Sequence, residues 1–209
     1  MTRRASAYLP VKRAIDVVVS GVGLVVSAPV MAAVATAVRR DLGSPVLFRQ
    51  ERPGRHGQPF HLVKFRTMRS LGAADSVAND ARRLTTLGRW LRSTSIDELP
   101  TLWNVFKGDM SLVGPRPLLM EYLERYTAEQ NRRHEVRPGV TGLAQVRGRN
   151  ALTWEEKFAA DVQYVKQIGP MMDLRIIWAT VTAVLRRKGI SAPGVDTMPV
   201  FQGSRRGTG

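Results

Sequence analysis

An uncharged stretch of 22 residues, Val17–Val38, constrains the fold of this chain more than any other feature. A straight helix of this length rises about 33 Å, enough to cross a hydrocarbon core of about 30 Å. Pro29 stands in the middle of the stretch, where its missing amide donor and its ring favour a break around Ser27–Pro29. The stretch therefore predicts a membrane-associated helix that is interrupted at its centre.

Basic residues flank this stretch on both sides, with Lys12 and Arg13 before it and Arg39 and Arg40 after it. Because positive charge marks the cytoplasmic side of a membrane segment, both ends are expected on the same side. We therefore expect a re-entrant helical hairpin over residues 1–40, which enters the bilayer and returns.

The apolar stretch is also compatible with three alternative structures. A straight spanning helix is possible, since proline is tolerated where neighbouring groups satisfy the freed carbonyls. A cleavable signal peptide is less favoured, because its apolar core usually has about 7–15 residues. The third alternative is a buried core helix.

The chain carries a strong positive charge, with 32 Lys and Arg against 17 Asp and Glu and a formal net charge of +15 at pH 7. This balance implies an anionic partner, which can be a nucleic acid, a phospholipid surface or a phosphorylated substrate. Together with the apolar stretch it favours an anionic membrane, where each Lys or Arg contributes about 1 kcal/mol. The absence of cysteine excludes disulfides and thiolate metal sites.

Downstream, the residue pattern predicts a mixed α/β fold that is mostly helical and contains a small β-hairpin. Two strands, 44–48 and 60–65, are joined by the Gly- and Pro-containing segment 52–59. Helices are predicted over 86–92, 97–107, 118–135, 154–167 and 171–188. These elements define a domain over 41–190, and the tail 191–209 is predicted to be irregular.

The last predicted helix is amphipathic, and its apolar face fits either a membrane interface or the core. Core packing is the default for one such helix considered alone, and also for most of the tryptophans. The whole chain, with its re-entrant broken helix, is expected to be a monotopic membrane protein with interfacial amphipathic helices.

Three loops place an arginine beside Gly or Pro, namely those that contain Arg116, Arg137 and Arg149. Lys64 and Arg66 add two cations on the second predicted strand. The arginine guanidinium is a planar fork of donors that suits phosphate, and Gly/Pro loops fix where it points. The pattern predicts a site for a diphosphate.

The adjacent carboxylates Asp97 and Glu98 occur in the midst of this positive charge. Nearby cations keep carboxylates ionised, so one could attack a phosphorus atom while the other holds Mg²⁺. The alternative is structural, because Ser95 and Glu98 have the spacing of a capping box. The local pattern alone favours capping, although Pro100 fits poorly inside the helix that follows.

Sequence blocks in a fixed order extend almost from end to end of the chain. They are Lys12–Asp16, the apolar stretch with Pro29, Phe48–Gly54, Lys64–Met68, Ser95–Pro100, Leu102–Val105, Lys107–Leu118, Arg137–Gly142 and Gln145–Asn150. In these blocks the chain resembles the bacterial sugar transferases, the monotopic phosphoglycosyl transferases that act on polyprenyl phosphate, in their small minimal-catalytic-domain form. One departure is Ala28, which separates Ser27 from Pro29, whereas the family often has Ser directly before this Pro.

The resemblance implies a two-step reaction in a catalytic domain over 41–190. Asp97 would attack the β-phosphate of a UDP-sugar, release UMP and hold the phosphosugar covalently until polyprenyl phosphate, expected to be undecaprenyl phosphate, accepts it. Glu98 matches the carboxylate that the family associates with Mg²⁺. This implication outweighs the local preference for capping.

The resemblance also assigns expected roles to the basic residues and to the hairpin. The candidates for phosphate or nucleotide contact are Lys64, Arg66, Arg116, Arg137 and Arg149. The candidates that shape or orient the membrane hairpin are Lys12, Arg13, Asp16, Ser27 and Pro29. The expected location is the cytoplasmic face of the bacterial inner membrane, against anionic phospholipid, with no nucleic acid partner.

A basic DNA-binding protein is the competing hypothesis, since residues 87–107 could form a helix-turn-helix in a chain of charge +15. That hypothesis leaves the apolar stretch and the Asp97–Glu98 pair unexplained. An inactive scaffold with the same fold is a third possibility.

Overall fold

The computed structural model describes residues 3–69, 83–148, 151–185 and 200–203. The elements in these residues are α1 (Arg3–Leu42), β1 (Leu47–Pro53), β2 (Pro59–Phe65), α2 (Thr86–Ser93), α3 (Thr101–Lys107), β3 (Ser111–Val113), α4 (Ala128–Asn131), β4 (Gly139–Thr141), α5 (Leu143–Arg147), α6 (Trp154–Gln167) and α7 (Pro170–Leu185). The prediction of a mostly helical fold with a small β-hairpin is confirmed.

The apolar stretch forms part of α1, a continuous helix of 40 residues that contains Pro29. The predicted break around Ser27–Pro29 is therefore wrong as a break in helical structure. Pro29 removes only one hydrogen bond of the helical ladder, while the Ser27 hydroxyl donates to the Gly23 carbonyl at 2.6 Å. A proline or a serine that bonds back to the preceding turn bends a long helix more often than it ends the helix.

Both ends of α1 pack against the same globular part of the chain. Near the N-terminal end, Lys12 Nζ lies 2.5 Å from Asp173 Oδ2 of α7. Near the C-terminal end, Val34 and Val38 are buried in an apolar cluster that also contains Leu91 of α2. The long apolar helix is thus held near both of its ends to one body.

The polar residues that precede the apolar stretch orient α1 by binding protein groups. Arg13 donates from Nη1 to the Val105 carbonyl at 2.6 Å and from Nη2 to the Phe106 carbonyl at 2.8 Å, at the C-terminal end of α3. A cation is favourable there because the last carbonyls of a helix carry partial negative charge. Asp16 is buried and its Oδ1 accepts from the Leu112 amide at 3.0 Å.

The β-hairpin is formed by the antiparallel strands β1 and β2, in a register that pairs Phe48 with Lys64. The free edge of β2 is covered by α3, because the Asn104 side chain accepts from the Val63 amide and donates to the His61 carbonyl. Side-chain amides can replace a neighbouring strand in this way since they carry both a donor and an acceptor. The hairpin is therefore fixed to α3.

The geometry of α3, which would be the recognition helix, does not support the DNA-binding hypothesis. α3 packs along α1, and the exposed side chains that it presents include Trp103 and Phe106. A recognition helix presents polar and basic side chains to the groove, which these are not.

Two of the three predicted arginine-bearing loops, those with Arg116 and Arg137, lie next to the short parallel strands β3 and β4. Their approach depends on glycine, because a Cβ on Gly139 would lie 2.1 Å from the amide nitrogen of Gly114. The close pairing fixes the start of the loop that carries Arg116.

The predicted helix over 118–135 is wrong. This segment forms a 3-10 helix at Met120–Arg125, the short α4 and a second 3-10 helix at Arg132–Glu135. A new helix begins within it because Thr127 caps α4 through a capping box with Gln130. The irregular path also carries aromatic side chains into a separate apolar cluster.

This aromatic cluster joins α6 to the C-terminal residues 200–203. Phe201 is 2% exposed and lies against Tyr122, Trp154 and Phe158 at ring-centroid distances between 4.9 and 5.6 Å. Of the tail 191–209, which was predicted to be irregular, only residues 200–203 are described. Within them, Phe201 is part of the core.

The exposed surface is rich in apolar side chains that were assigned to the core. Three of the four tryptophans, Trp90, Trp103 and Trp178, are more than half exposed, as are Met171 and Leu174 of α7. The default of core packing is therefore wrong for these residues, and their exposure is compatible with the interfacial alternative.

Candidate active site

The Asp97–Glu98 pair lies in a single 3-10 turn, Ile96–Glu98, that follows α2 and precedes α3. Ser95 has the left-handed conformation at φ 57° and its side chain makes no capping hydrogen bond. The capping-box alternative is therefore wrong. Pro100 explains the turn, because it stands immediately before α3 and ends the preceding helical path.

Glu98 forms a forked ion pair with two of the five basic residues that were predicted for this site. Its Oε1 lies 2.5 Å from Lys64 Nζ and 3.0 Å from Arg116 Nη2. Burial opposes ionisation of this carboxyl, but the charges of Arg116 and Lys64 outweigh it and hold the pKa of Glu98 well below its usual range. Glu98 is thus a permanent anion.

Asp97 has a different environment from its neighbour. Its side chain is buried, and burial together with the negative charge of Glu98 raises its pKa to about 6. Among the described residues, its carboxylate oxygens accept no hydrogen bond, so their lone pairs are available to bind a ligand or to attack an electrophile. Two adjacent carboxylates with pKa values pushed apart are the arrangement in which separate chemical roles are expected.

Arg116 is held in place by Arg133, a residue that the sequence analysis did not identify. The Arg133 Nη2 donates to the Arg116 carbonyl at 2.6 Å, while Nε and Nη2 bind Asp161 Oδ2 at 3.0 and 2.8 Å. Arg133 and Asp161 are both buried, so this geometry is rigid. Arg133 lies in the segment that was predicted as the helix over 118–135, and no pattern there distinguished it from the neighbouring basic residues.

Other cations surround the pair and were also missed. Burial and the charge of Arg116 lower the pKa of Arg52 to about 10, and the Arg52 Nε is a buried donor with no partner among the described residues. Burial and Arg116 likewise lower the pKa of Lys157. The charge of Arg92 acts on Asp97. Of these residues, Arg52 could have been predicted from the sequence, since it lies in the family-resembling block Phe48–Gly54.

The remaining predicted cations are distributed differently. Arg137 donates to the Gly108 carbonyl at 2.8 Å. Its pKa is lowered by burial and then by the charges of Arg13 and Arg55, so Arg137 lies near Arg13 of α1. Arg66 binds the backbone carbonyls of Met68 and Pro45. Arg149 lies outside the described residues.

The carboxylates can contribute to a divalent metal only in part. Glu98 Oε1 already accepts from two cations, which leaves Oε2 and the Asp97 oxygens. The described ranges hold no cluster of three or more His, Asp or Glu side chains suited to a metal. This donor set fits Mg²⁺ that arrives with substrate phosphates, since Mg²⁺ is commonly bound by one or two carboxylates and phosphate oxygens.

A buried carboxylate with free oxygens, next to a carboxylate held by two cations and near several guanidinium groups, is an arrangement suited to the transfer of phosphate groups. Comparison with known proteins identifies the kind of transferase. The chain belongs to the bacterial sugar transferase family, whose model matches residues 7–187.

Several relatives match this chain over most of its length. The uncharacterized sugar transferase EpsL of Bacillus subtilis is 55% identical over 170 residues, which are 80% of this chain and 83% of that protein. The undecaprenyl-phosphate galactose phosphotransferase of Salmonella typhimurium is 40% identical over 208 residues, 90% of this chain but 43% of that protein. The UDP-glucose:undecaprenyl-phosphate glucose-1-phosphate transferase of Caulobacter vibrioides is 42% identical over 185 residues, 83% of this chain and 69% of that protein.

Proposed function

We propose that this chain transfers a phosphosugar from a UDP-sugar to undecaprenyl phosphate, in two steps through a covalent Asp97 intermediate. The names of the Salmonella and Caulobacter relatives support the general reaction. The observation that carries the two-step mechanism is the contrast between Asp97, buried with free oxygens, and Glu98, fixed by Lys64 and Arg116.

In the first step, an Asp97 carboxylate oxygen attacks the sugar-bearing phosphorus of the donor. A carboxylate–phosphorus bond forms, the bond from that phosphorus to the bridging oxygen breaks, and UMP leaves with the bridging oxygen. With a pKa of about 6, Asp97 is mostly ionised at pH 7 and needs no general base. Its raised pKa also makes it a stronger nucleophile than an ordinary carboxylate.

In the second step, a phosphate oxygen of the lipid acceptor attacks the same phosphorus and releases Asp97. The product is a polyprenyl-diphosphate sugar. Both steps concentrate negative charge on phosphate oxygens, so they depend on fixed cations more than on proton transfer. Arg116, positioned by Arg133, and Lys64 supply that charge beside the nucleophile.

Mg²⁺ is the proposed cofactor, and Glu98 is the residue that would hold it through its second oxygen. When bound, it would neutralise charge on the donor diphosphate. The cations of this chain would still orient the phosphates, because they are fixed by contacts that do not involve a metal.

We place the enzyme at the cytoplasmic face of the bacterial inner membrane. A helix that crossed the bilayer would carry its two ends to opposite sides, yet Lys12 and Val38 contact one globular body. Val22, Val25 and Val26, near the middle of α1, are more than half exposed, as expected for side chains that face lipid. These observations support a continuous helix whose apolar middle enters the membrane while both of its ends stay on the side of the globular part.

The test is UMP release from a panel of UDP-sugars, in detergent with Mg²⁺, with and without undecaprenyl phosphate. The wild-type protein is expected to turn over only with the acceptor, and to form a sugar-labelled protein adduct without it. Asp97→Asn is expected to abolish both, whereas Asp41→Asn, an exposed carboxylate at the end of α1, leaves both unchanged. Near-full activity of Asp97→Asn would refute the nucleophile assignment.

A further inference from the structure

A large groove lies between the second half of α1, one face of the β-hairpin and α3, and it has a volume of about 770 Å³. This is within the range of about 300–1,000 Å³ that is usual for ligand sites. Its walls are mainly apolar and include Met31 and Ala32 of α1, Val63 of β2 and Trp103 of α3.

One part of the groove wall is basic. Arg49, His61 and Lys107 contribute to the lining. Lys107 is paired with Asp109 at 3.2 Å, whereas Arg49 is exposed and, within the described ranges, has neither an ion pair nor a side-chain hydrogen bond. The groove therefore offers an apolar slot together with at least one uncompensated positive charge.

The strand register places this groove on the opposite face of the hairpin from the active site. Arg49 pairs with Val63, and cross-strand partners share a face of the sheet. Lys64, the next residue along β2, points to the other face, where it binds Glu98. A phosphate bound at Arg49 is therefore separated by the sheet from the Lys64–Glu98 pair.

We propose that the groove binds one anionic phospholipid of the bilayer, with an acyl chain along Met31, Ala32 and Trp103 and the phosphodiester at Arg49. An anionic phospholipid carries one net negative charge at its phosphodiester, which matches one uncompensated guanidinium, whereas the choline of phosphatidylcholine cancels that charge. The acceptor substrate is not the occupant, because its phosphate must reach Asp97. The inference rests on the membrane location in the proposed function.

The test is native mass spectrometry of the full chain from nanodiscs that contain equal amounts of phosphatidylglycerol and phosphatidylcholine. The wild-type protein is expected to retain one phospholipid, with at least a fivefold preference for phosphatidylglycerol. Ala32→Trp fills the groove and should lose the bound lipid. Its control is Ala33→Trp, which changes the next, exposed position of α1 and should retain it.

Arg49→Gln tests the charge without altering the packing. It should retain a phospholipid but lose the preference for phosphatidylglycerol, whereas Arg40→Gln, an exposed arginine at the end of α1, should keep it. Retention of lipid by Ala32→Trp, no preference in the wild-type protein, or bound polyprenyl phosphate instead of phospholipid would each overturn the proposal. Membrane fractionation of the same cells separates this failure from failure of the proposed location.

Discussion

Lys12→Met should detach the N-terminal half of α1 from the globular part. Lys12 Nζ lies 2.5 Å from Asp173 Oδ2, and both side chains are less than a tenth exposed. Asp173 also accepts hydrogen bonds from the hydroxyl groups of Tyr8 at 2.9 Å and Tyr164 at 2.8 Å. The substitution leaves a buried carboxylate with two neutral donors and no cation.

The expected cost follows from the burial of the pair. Its Coulomb energy at 2.5 Å is roughly 7 kcal/mol at an effective dielectric constant of about 20, most of which is offset by desolvation. Removal of one partner of a buried pair costs about 3–5 kcal/mol. Because Tyr8 and Tyr164 still bind Asp173, we expect a value near 3 kcal/mol, which is a fall of roughly 6–12 °C in the unfolding midpoint.

The double substitution Lys12→Met with Asp173→Asn should recover about 2 kcal/mol of this loss, because a neutral amide has no unpaired charge to bury. Thermal unfolding in one detergent, followed by tryptophan fluorescence at a fixed scan rate, measures both effects. The matched control is Lys166→Met, since Lys166 lies 2.6 Å from Glu129 but both side chains are more than half exposed. The control should leave the midpoint unchanged.

Two results would refute this reasoning. A Lys12→Met midpoint equal to that of the Lys166→Met control would show that the buried pair does not anchor α1. Strictly additive losses in the double variant would show that the two residues stabilise the protein independently.

Other predictions concern the active site, the aromatic cluster and the topology. Since Asp97 loses its charge as the pH falls through about 6, kcat/KM for UMP release should fall about tenfold per pH unit below 6; a pH-independent rate would contradict this. Asp97→Asn should raise the unfolding midpoint by the equivalent of about 2–3 kcal/mol at pH 7, because a carboxyl whose pKa is raised in the folded state destabilises it when ionised; a lower midpoint would contradict it. Phe201→Ala should cost about 3–5 kcal/mol, measured by the same scans, whereas Val200→Ala, at an exposed neighbour, should cost little. Single cysteines at Ala7 and Arg40, in a chain without native cysteine, should react with a membrane-impermeant maleimide from the same side; labelling from opposite sides would establish a spanning helix.

Local signals predicted the parts of the fold that local interactions determine. The helix over 154–167 was predicted with its observed bounds because its apolar periodicity coincides with a capping box between Thr153 and Glu156. The helix over 118–135 failed because Tyr122 and Tyr126 pack against Phe201, some 75 residues further along the chain. No local pattern reports a contact of that separation.

The candidate site shows the same division. Lys64, Arg116, Asp97 and Glu98 were predicted from charge, loop composition and family resemblance, and the structure brings them together. Arg133 was not predicted, since its importance depends on the Arg116 carbonyl, which only the folded chain places beside it.

The contact between Lys12 and Asp173 joins residues that are 161 positions apart, and this separation orders events during synthesis. At about 5–20 residues per second, Asp173 is made roughly 8–30 s after Lys12. During that interval Lys12 has no partner. With the membrane location proposed above, Lys12 would serve first as a free positive charge that retains the N-terminus on the side of synthesis, and later as half of the ion pair that closes the fold.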